Sequence, residues 1–144
     1  MISQPAMLYV EDEKSDVLLL RVAFSLARLT NPVHVAVDGA QAIDYLAGNG
    51  PFADRSQHPL PALVLLDLNL PKKSGFEVLS WIRQQPQFSS LPVVIYTSSV
   101  GLIDKETAQV FGATDYFVKR SGVSDIAELV RSLAERWLTK SAAA

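Results

Sequence analysis

The chain of 144 residues has no cysteine, which excludes disulfide bonds and thiolate metal sites. It has only two histidines, His34 and His58, and neither has a set of further ligands that would build an imidazole metal centre. No apolar run approaches the ~18–20 residues that a bilayer-spanning helix requires. Neither sign of charge dominates. With 13 Lys and Arg against 15 Asp and Glu, the formal net charge is −2, so nothing electrostatic points to nucleic acid. No basic run suggests attachment to a membrane surface. The start, Met1-Ile2-Ser3-Gln4-Pro5, lacks the basic and apolar regions of a secretory signal, so a cytoplasmic location is expected. Internal repeats and low-complexity stretches are also missing. One domain over residues 1–140 is expected, with a frayed tail at 141–144 and no output domain.

What the chain does have is apolar periodicity. Hydrophobic residues make up 49% of it, and strand-like runs alternate with helix-like segments five times. That is the pattern of an α/β protein with a parallel sheet and crossover helices. Strands are predicted near 6–10, 33–37, 62–66, 92–96 and 115–118. The first helix carries Val17, Leu20, Phe24 and Ala27 at helical spacing. The second starts near Gly39 and holds Ala42, Ile43 and Leu46, and the third follows Ser74-Gly75 and buries Phe76, Leu79 and Ile82. The fourth covers about 102–111 and stops at Gly112. The fifth is predicted to begin after Ser124 as N-cap, with Asp125 in its first turn. Between Gly48 and Pro61 lies a long loop rich in Gly and Pro, placed on the N-terminal side of the strands. Tolerated length and contact with a partner are equally good accounts of it.

Chemistry gathers at the other side. Ala62-Leu63-Val64-Leu65-Leu66 reads as a central strand buried on both faces, and it ends in Asp67. Ala6-Met7-Leu8-Tyr9-Val10 leads into Glu11-Asp12-Glu13. Ligands of open α/β sheets bind beyond the carboxyl ends of the strands, so Glu11, Asp12 and Asp67 converge there if the two strands are neighbours. Three carboxylates in one crevice repel unless protons or a cation intervene. A hard divalent ion such as Mg²⁺ resolves the repulsion. Glu13 is read instead as an acid favoured at a helix N-terminus. The fourth strand ends at Thr97-Ser98-Ser99 and the fifth at Lys119. A hydroxyl and an ammonium therefore join the carboxylates, as groups suited to anionic oxygens. Tyr96, Phe76 and Trp81 are read as packing residues.

These residues carry a resemblance. Val10-Glu11-Asp12, Leu65-Leu66-Asp67-Leu68-Asn69-Leu70-Pro71, Ser74-Gly75, Tyr96-Thr97-Ser98 and Asp115-Tyr116-Phe117-Val118-Lys119 together resemble the response-regulator receiver domain of two-component signalling, over residues 6–138. The resemblance implies a doubly wound, flavodoxin-like sheet of order 2-1-3-4-5. It implies that Asp67 accepts a phosphoryl group from a histidine kinase, with Mg²⁺ held by Asp12, Asp67 and the backbone carbonyl of Asn69. Glu11 would act on the metal largely through water, and Lys119 would hold a phosphoryl oxygen. Thr97 would follow the phosphate and Tyr116 would reorient with it. The loop, the Leu-Asn-Leu-Pro-Lys-Lys run at 68–73 and the ending Arg136-Trp137-Leu138 are similar to single-domain regulators of bacterial phytochrome histidine kinases.

Other readings meet specific residues. An aspartyl-phosphate phosphohydrolase wants a second acid two positions after the nucleophile, where this chain has Asn69. A flavin module wants a phosphate-cradling loop after the first strand, where Glu11-Asp12-Glu13 would repel it. Intact Asp12, Asp67, Thr97 and Lys119 argue against a phosphorylation-independent interaction domain. The chain is thus expected to be no enzyme beyond catalysing its own phosphorylation and dephosphorylation. One departure from the resemblance is Arg120, where receivers usually have proline. The Lys119–Arg120 peptide is either trans in a rearranged turn or cis at a cost of roughly 2.5–4 kcal/mol. Trp137 sits at the edge of the last helix's apolar stripe. A homodimer through the fourth and fifth helices, the fifth strand and the C-terminal segment is expected, and Trp137 either joins that interface or closes the core.

Overall fold

The structure, a computed structural model, describes residues 4–139. The tail expected at 141–144 lies outside them. Five strands are present: β1 (Met7–Val10), β2 (Val33–Ala36), β3 (Leu63–Leu66), β4 (Val93–Thr97) and β5 (Asp115–Val118). All neighbours pair in parallel in the order β2-β1-β3-β4-β5, the arrangement that the resemblance implies. The helices are α1 (Lys14–Leu26), α2 (Gly39–Ala47), α3 (Gly75–Gln84), α4 (Leu102–Val110) and α5 (Val123–Trp137).

The central strands lack polar alternation because both of their faces are covered. Successive side chains point to opposite sides, and the core divides accordingly. Met7, Tyr9, Leu63, Leu65, Val94 and Tyr96 face α1 and α5, where they meet Leu20, Phe24, Ile126, Leu129 and Leu133. Leu8, Val10, Val64, Leu66 and Ile95 face the other way, toward Ala42, Leu46, Leu79, Ile82 and Ala108. Fully burying one such Leu or Ile contributes about 1.5–3 kcal/mol. The two layers therefore hold the sheet, and with it the strand ends, in one place.

Two local details differ from expectation. β4 runs one residue further than predicted and includes Thr97, which is wholly buried. α5 starts at Val123 with Gly122 as its N-cap, so Ser124 lies inside the first turn and caps nothing. Gly122 makes no side-chain cap, and its extended backbone admits the chain to the helix without one. By contrast Ser74 caps α3, accepting a hydrogen bond from the Glu77 amide at 3.3 Å. Gly112 adopts φ 97° just past α4, as its helix-stopping role requires.

The 48–61 loop is a built element. Arg55 donates to the carbonyls of Tyr45 and Leu46 at 2.8 Å each, and to that of His58 at 3.1 Å. It thus adds a side-chain donor to carbonyls in the last turn of α2, where that of Tyr45 otherwise accepts only the Gly48 amide at 3.2 Å. The Tyr45 hydroxyl donates to the carbonyl of Pro59 at 2.9 Å. His34, on edge strand β2, packs its ring against those of Tyr45 and His58. Among the described residues no helix is long and apolar enough to cross a membrane.

Candidate functional site

β1 and β3 are neighbours with Val10 level with Leu66, so the residues that follow them emerge side by side. Carboxylate oxygens of Glu11, Asp12 and Asp67 lie within 4.8 Å of one another. They are not equivalent. Glu11 is wholly buried and Asp67 nearly so, while Asp12 is exposed. Burial pushes the Glu11 carboxyl above its ordinary range, partly offset by the Lys119 ammonium and the Glu13 amide.

Lys119 reaches into this group from the end of β5. Its Nζ lies 2.7 Å from Glu11 Oε1, 2.7 Å from Asp16 Oδ2 and 3.0 Å from Asp67 Oδ2. Burial works against its charge, but hydrogen bonds to Asp16, Glu11 and Asp67 outweigh that and hold the ammonium above its ordinary pKa. Glu11 is further tied by the Tyr9 hydroxyl at 3.3 Å and the Glu13 amide at 3.1 Å. Both of its oxygens are thus engaged, and the exposed Asp12 is the freest of the three carboxylates. Asp67 Oδ1 accepts from the Asn69 amide at 3.2 Å. The donor set is all hard oxygen, clustered and partly open to solvent, and it fits a small divalent cation.

Glycine makes this packing feasible. Gly75 opens α3 directly beneath the acid loop, and its amide donates to the Leu68 carbonyl at 3.0 Å. A Cβ there would lie 2.6 Å from Leu68 Cα and closer still to the carbonyl oxygen of Asp67.

Thr97 and Tyr116 end up on adjacent strands but not on Asp67. Thr97 is level with Val118 at the end of β4. The Tyr116 hydroxyl donates to the Ser99 carbonyl at 3.0 Å, tying β5 to the loop before α4. Neither Thr97 nor Tyr116 hydrogen-bonds to Asp67 among the described residues. The Lys119–Arg120 peptide is trans, since the described residues contain no cis bond. The turn is rearranged around an amide that proline would lack: the Arg120 N–H donates to the Tyr96 hydroxyl at 3.3 Å. Sequence reasoning missed Asp16, which lies in the first turn of α1 and binds Lys119 across a separation of 103 residues. It also missed Tyr9, read only as part of a strand. An acid one turn into the helix after Asp12, and a tyrosine in an otherwise aliphatic strand, were the available signals.

The comparisons with known proteins agree with this geometry. The family model described as the response regulator receiver domain matches residues 7–131. The chain belongs to that family. It is a two-component receiver related to the response regulators of phytochromes. Response regulator Rcp1 of Synechocystis is 33% identical over 131 residues, 91% of this chain and 87% of Rcp1. The structure of Rcp1 in its Mn²⁺-bound form superposes with TM-score 0.81 at 31% identity, covering 95% of this chain and 96% of that one. RPA3017, a response regulator in red light signalling of R. palustris, gives TM-score 0.88 at 34% identity, covering 96% of each chain. The phosphorylated cyanobacterial phytochrome response regulator RcpA gives 0.85 at 32%, covering 96% of this receiver and 97% of RcpA.

Proposed function

We propose that Asp67 of this receiver takes a phosphoryl group from the phosphohistidine of a sensor kinase. The observation that carries this is the Lys119 ammonium 3.0 Å from Asp67 Oδ2, beside the exposed Asp12. A carboxylate oxygen of Asp67 attacks phosphorus, the phosphorus–nitrogen bond breaks, and the bonding pair leaves on the imidazole. Lys119 meets the transferring oxygens with positive charge that is already in position. Asp12, Asp67 and the Asn69 carbonyl would hold Mg²⁺, with Glu11 acting through water. The ion would supply charge against the phosphoryl oxygens and orient them. Glu11, engaged by Lys119, Tyr9 and Glu13, suits the indirect role. Asn69 cannot relay a proton, so the acyl phosphate persists as a signal rather than turning over as in a phosphohydrolase.

Phosphorylation is read out through β4 and β5. Thr97 moves to the phosphoryl group, and Tyr116 gives up the Ser99 carbonyl and turns into the vacated space. The face so altered carries exposed apolar groups: Val100, Leu102, Ile103 and Val110. Such a patch supports a homodimer through α4, β5 and α5. Trp137 contributes less than its position suggested, because it packs against the core and lies 4.0 Å under the Arg136 guanidinium. Similarity to RPA3017 and RcpA supports a bacterial phytochrome as the kinase. The test is acetyl phosphate with Mg²⁺, followed by intact mass measurement. Wild type gains one phosphoryl group and Asp67→Asn gains none; equal uptake by the two would displace Asp67 as acceptor.

A further inference from the structure

An ammonium has three N–H bonds, and those of Lys119 meet three carboxylates: Glu11 at 2.7 Å, Asp16 at 2.7 Å and Asp67 at 3.0 Å. The donor is saturated. If a phosphoryl group on Asp67 presents a new anionic oxygen to Lys119, one existing partner has to yield.

Exposure decides which. The Glu11 side chain is 0% accessible and that of Asp67 5%, whereas that of Asp16 is 30% accessible. Releasing Glu11 would strand a buried carboxylate on the Tyr9 hydroxyl and one amide, at the high cost of an unpaired buried charge. Asp67 is the carrier itself and stays beside the new group. Asp16 alone can exchange the ammonium for water.

We propose that Asp16 is a positioning residue that holds Lys119 in the resting receiver and yields it to the phosphoryl group, so that it competes with phosphorylation. This rests on the reading of Asp67 as acceptor. Asp16 also lies in α1, so its release couples the site to that helix as well as to β4 and β5.

The competition gives two effects of opposite sign. Asp16→Asn removes a competitor for Lys119 and a negative charge that opposes an anionic ligand. Beryllofluoride, a phosphoryl analogue that occupies the acceptor carboxylate, should bind roughly fivefold more tightly, the upper range for losing a part-exposed ion pair. Mg²⁺ alone should bind equally or more weakly, because a nearby negative charge is gone. Asp16→Glu keeps the charge and should return both affinities toward wild type. Calorimetry with Mg²⁺ alone, then with beryllofluoride added, reads both. Damage to the fold would weaken both ligands, so analogue binding that is unchanged or weaker in Asp16→Asn overturns the proposal. In wild type, carboxyl ¹³C resonances should show Asp16 shifting on analogue binding while Glu11 keeps its hydrogen-bonded shift. The reverse pattern also overturns it. Failure of wild type to bind the analogue at all would instead sink the assignment of Asp67, a distinguishable result.

Discussion

Replacing Gly75 with alanine should damage phosphorylation out of proportion to its size. The added methyl would sit 2.6 Å from Leu68 Cα, while ordinary contact begins at 3.4 Å. The backbone at 67–68 or the start of α3 therefore has to move by more than about 0.8 Å, the shortfall at Leu68 Cα, because the Asp67 carbonyl oxygen is nearer still. No flexible side chain can absorb the clash, because the obstructing atoms are main chain on both sides. Forcing one methyl into a packed site costs about 1–3 kcal/mol. At roughly 2–4 °C per kcal/mol for a chain of this size, the midpoint should fall by about 2–12 °C. The catalytic loss should be larger in relative terms. Asp67 and Lys119 hold a 3.0 Å contact, and a misplacement of about 1 Å can cost ~10²-fold in rate. The Asp67 carbonyl lies still closer to the new methyl than Leu68 Cα, so Asp67 itself is displaced.

The assay is the initial rate of phosphoryl uptake from acetyl phosphate at saturating Mg²⁺, with thermal unfolding in parallel. Gly50→Ala is the control. Its φ of 54° strains any side chain, but a methyl there meets nothing within 4 Å, and the site lies in the distant loop. It should lose stability and keep its uptake rate. If Gly75→Ala is phosphorylated within twofold of wild type, the claim that close approach of α3 positions Asp67 is wrong.

Thr97→Ala should still take up phosphate but leave Tyr116 on the Ser99 carbonyl, and NMR shifts should stay within the pocket; full propagation to α4 in the variant would refute the coupling. Ile103→Asp should abolish self-association in light scattering across a concentration series, because it places charge in an apolar patch, whereas Trp137→Ala should chiefly lower stability. His34 is held below its ordinary pKa of 6.5 by burial, with His58 and Arg21 adding repulsion. The unfolded state then binds the proton more readily, so stability is complete above about pH 6.5 and declines as pH falls from there toward the lowered folded value. His34→Gln should show a smaller acid-side loss of midpoint than wild type, and identical profiles would dismiss His34 as the source.

The fold was legible because its signals are local and repeated. Continuous apolar runs such as Leu63–Leu66, followed by helical spacing, leave few topologies other than a covered parallel sheet. Boundaries were less legible where no side chain marks them. α5 starts at Val123, with the extended backbone of Gly122 as its N-cap, and Ser124, the better capping residue by type, is the second residue of the helix. The loop at 48–61 read as irregular from its Gly and Pro, yet Arg55 closes it through main-chain carbonyls, which every residue has and no pattern distinguishes.

The site divides along the same line. Residues at strand ends were found because topology alone delivers them to one edge: Asp12, Asp67, Thr97 and Lys119 each follow or finish an apolar run. Asp16 was invisible to that logic. It belongs to a helix, where an acid in the first turn has a sufficient local explanation in the macrodipole. Only the three-dimensional structure shows that its partner is Lys119 and that this lysine is shared with two other carboxylates. An ammonium divided among three anions makes phosphorylation an exchange of partners rather than the filling of an empty place. Its equilibrium then depends on the most solvated of the three, the one for which water is an adequate substitute. Strand ends bring Asp67 and Lys119 together, but how readily the lysine is given up depends on a helix residue whose relevance is set by distance alone.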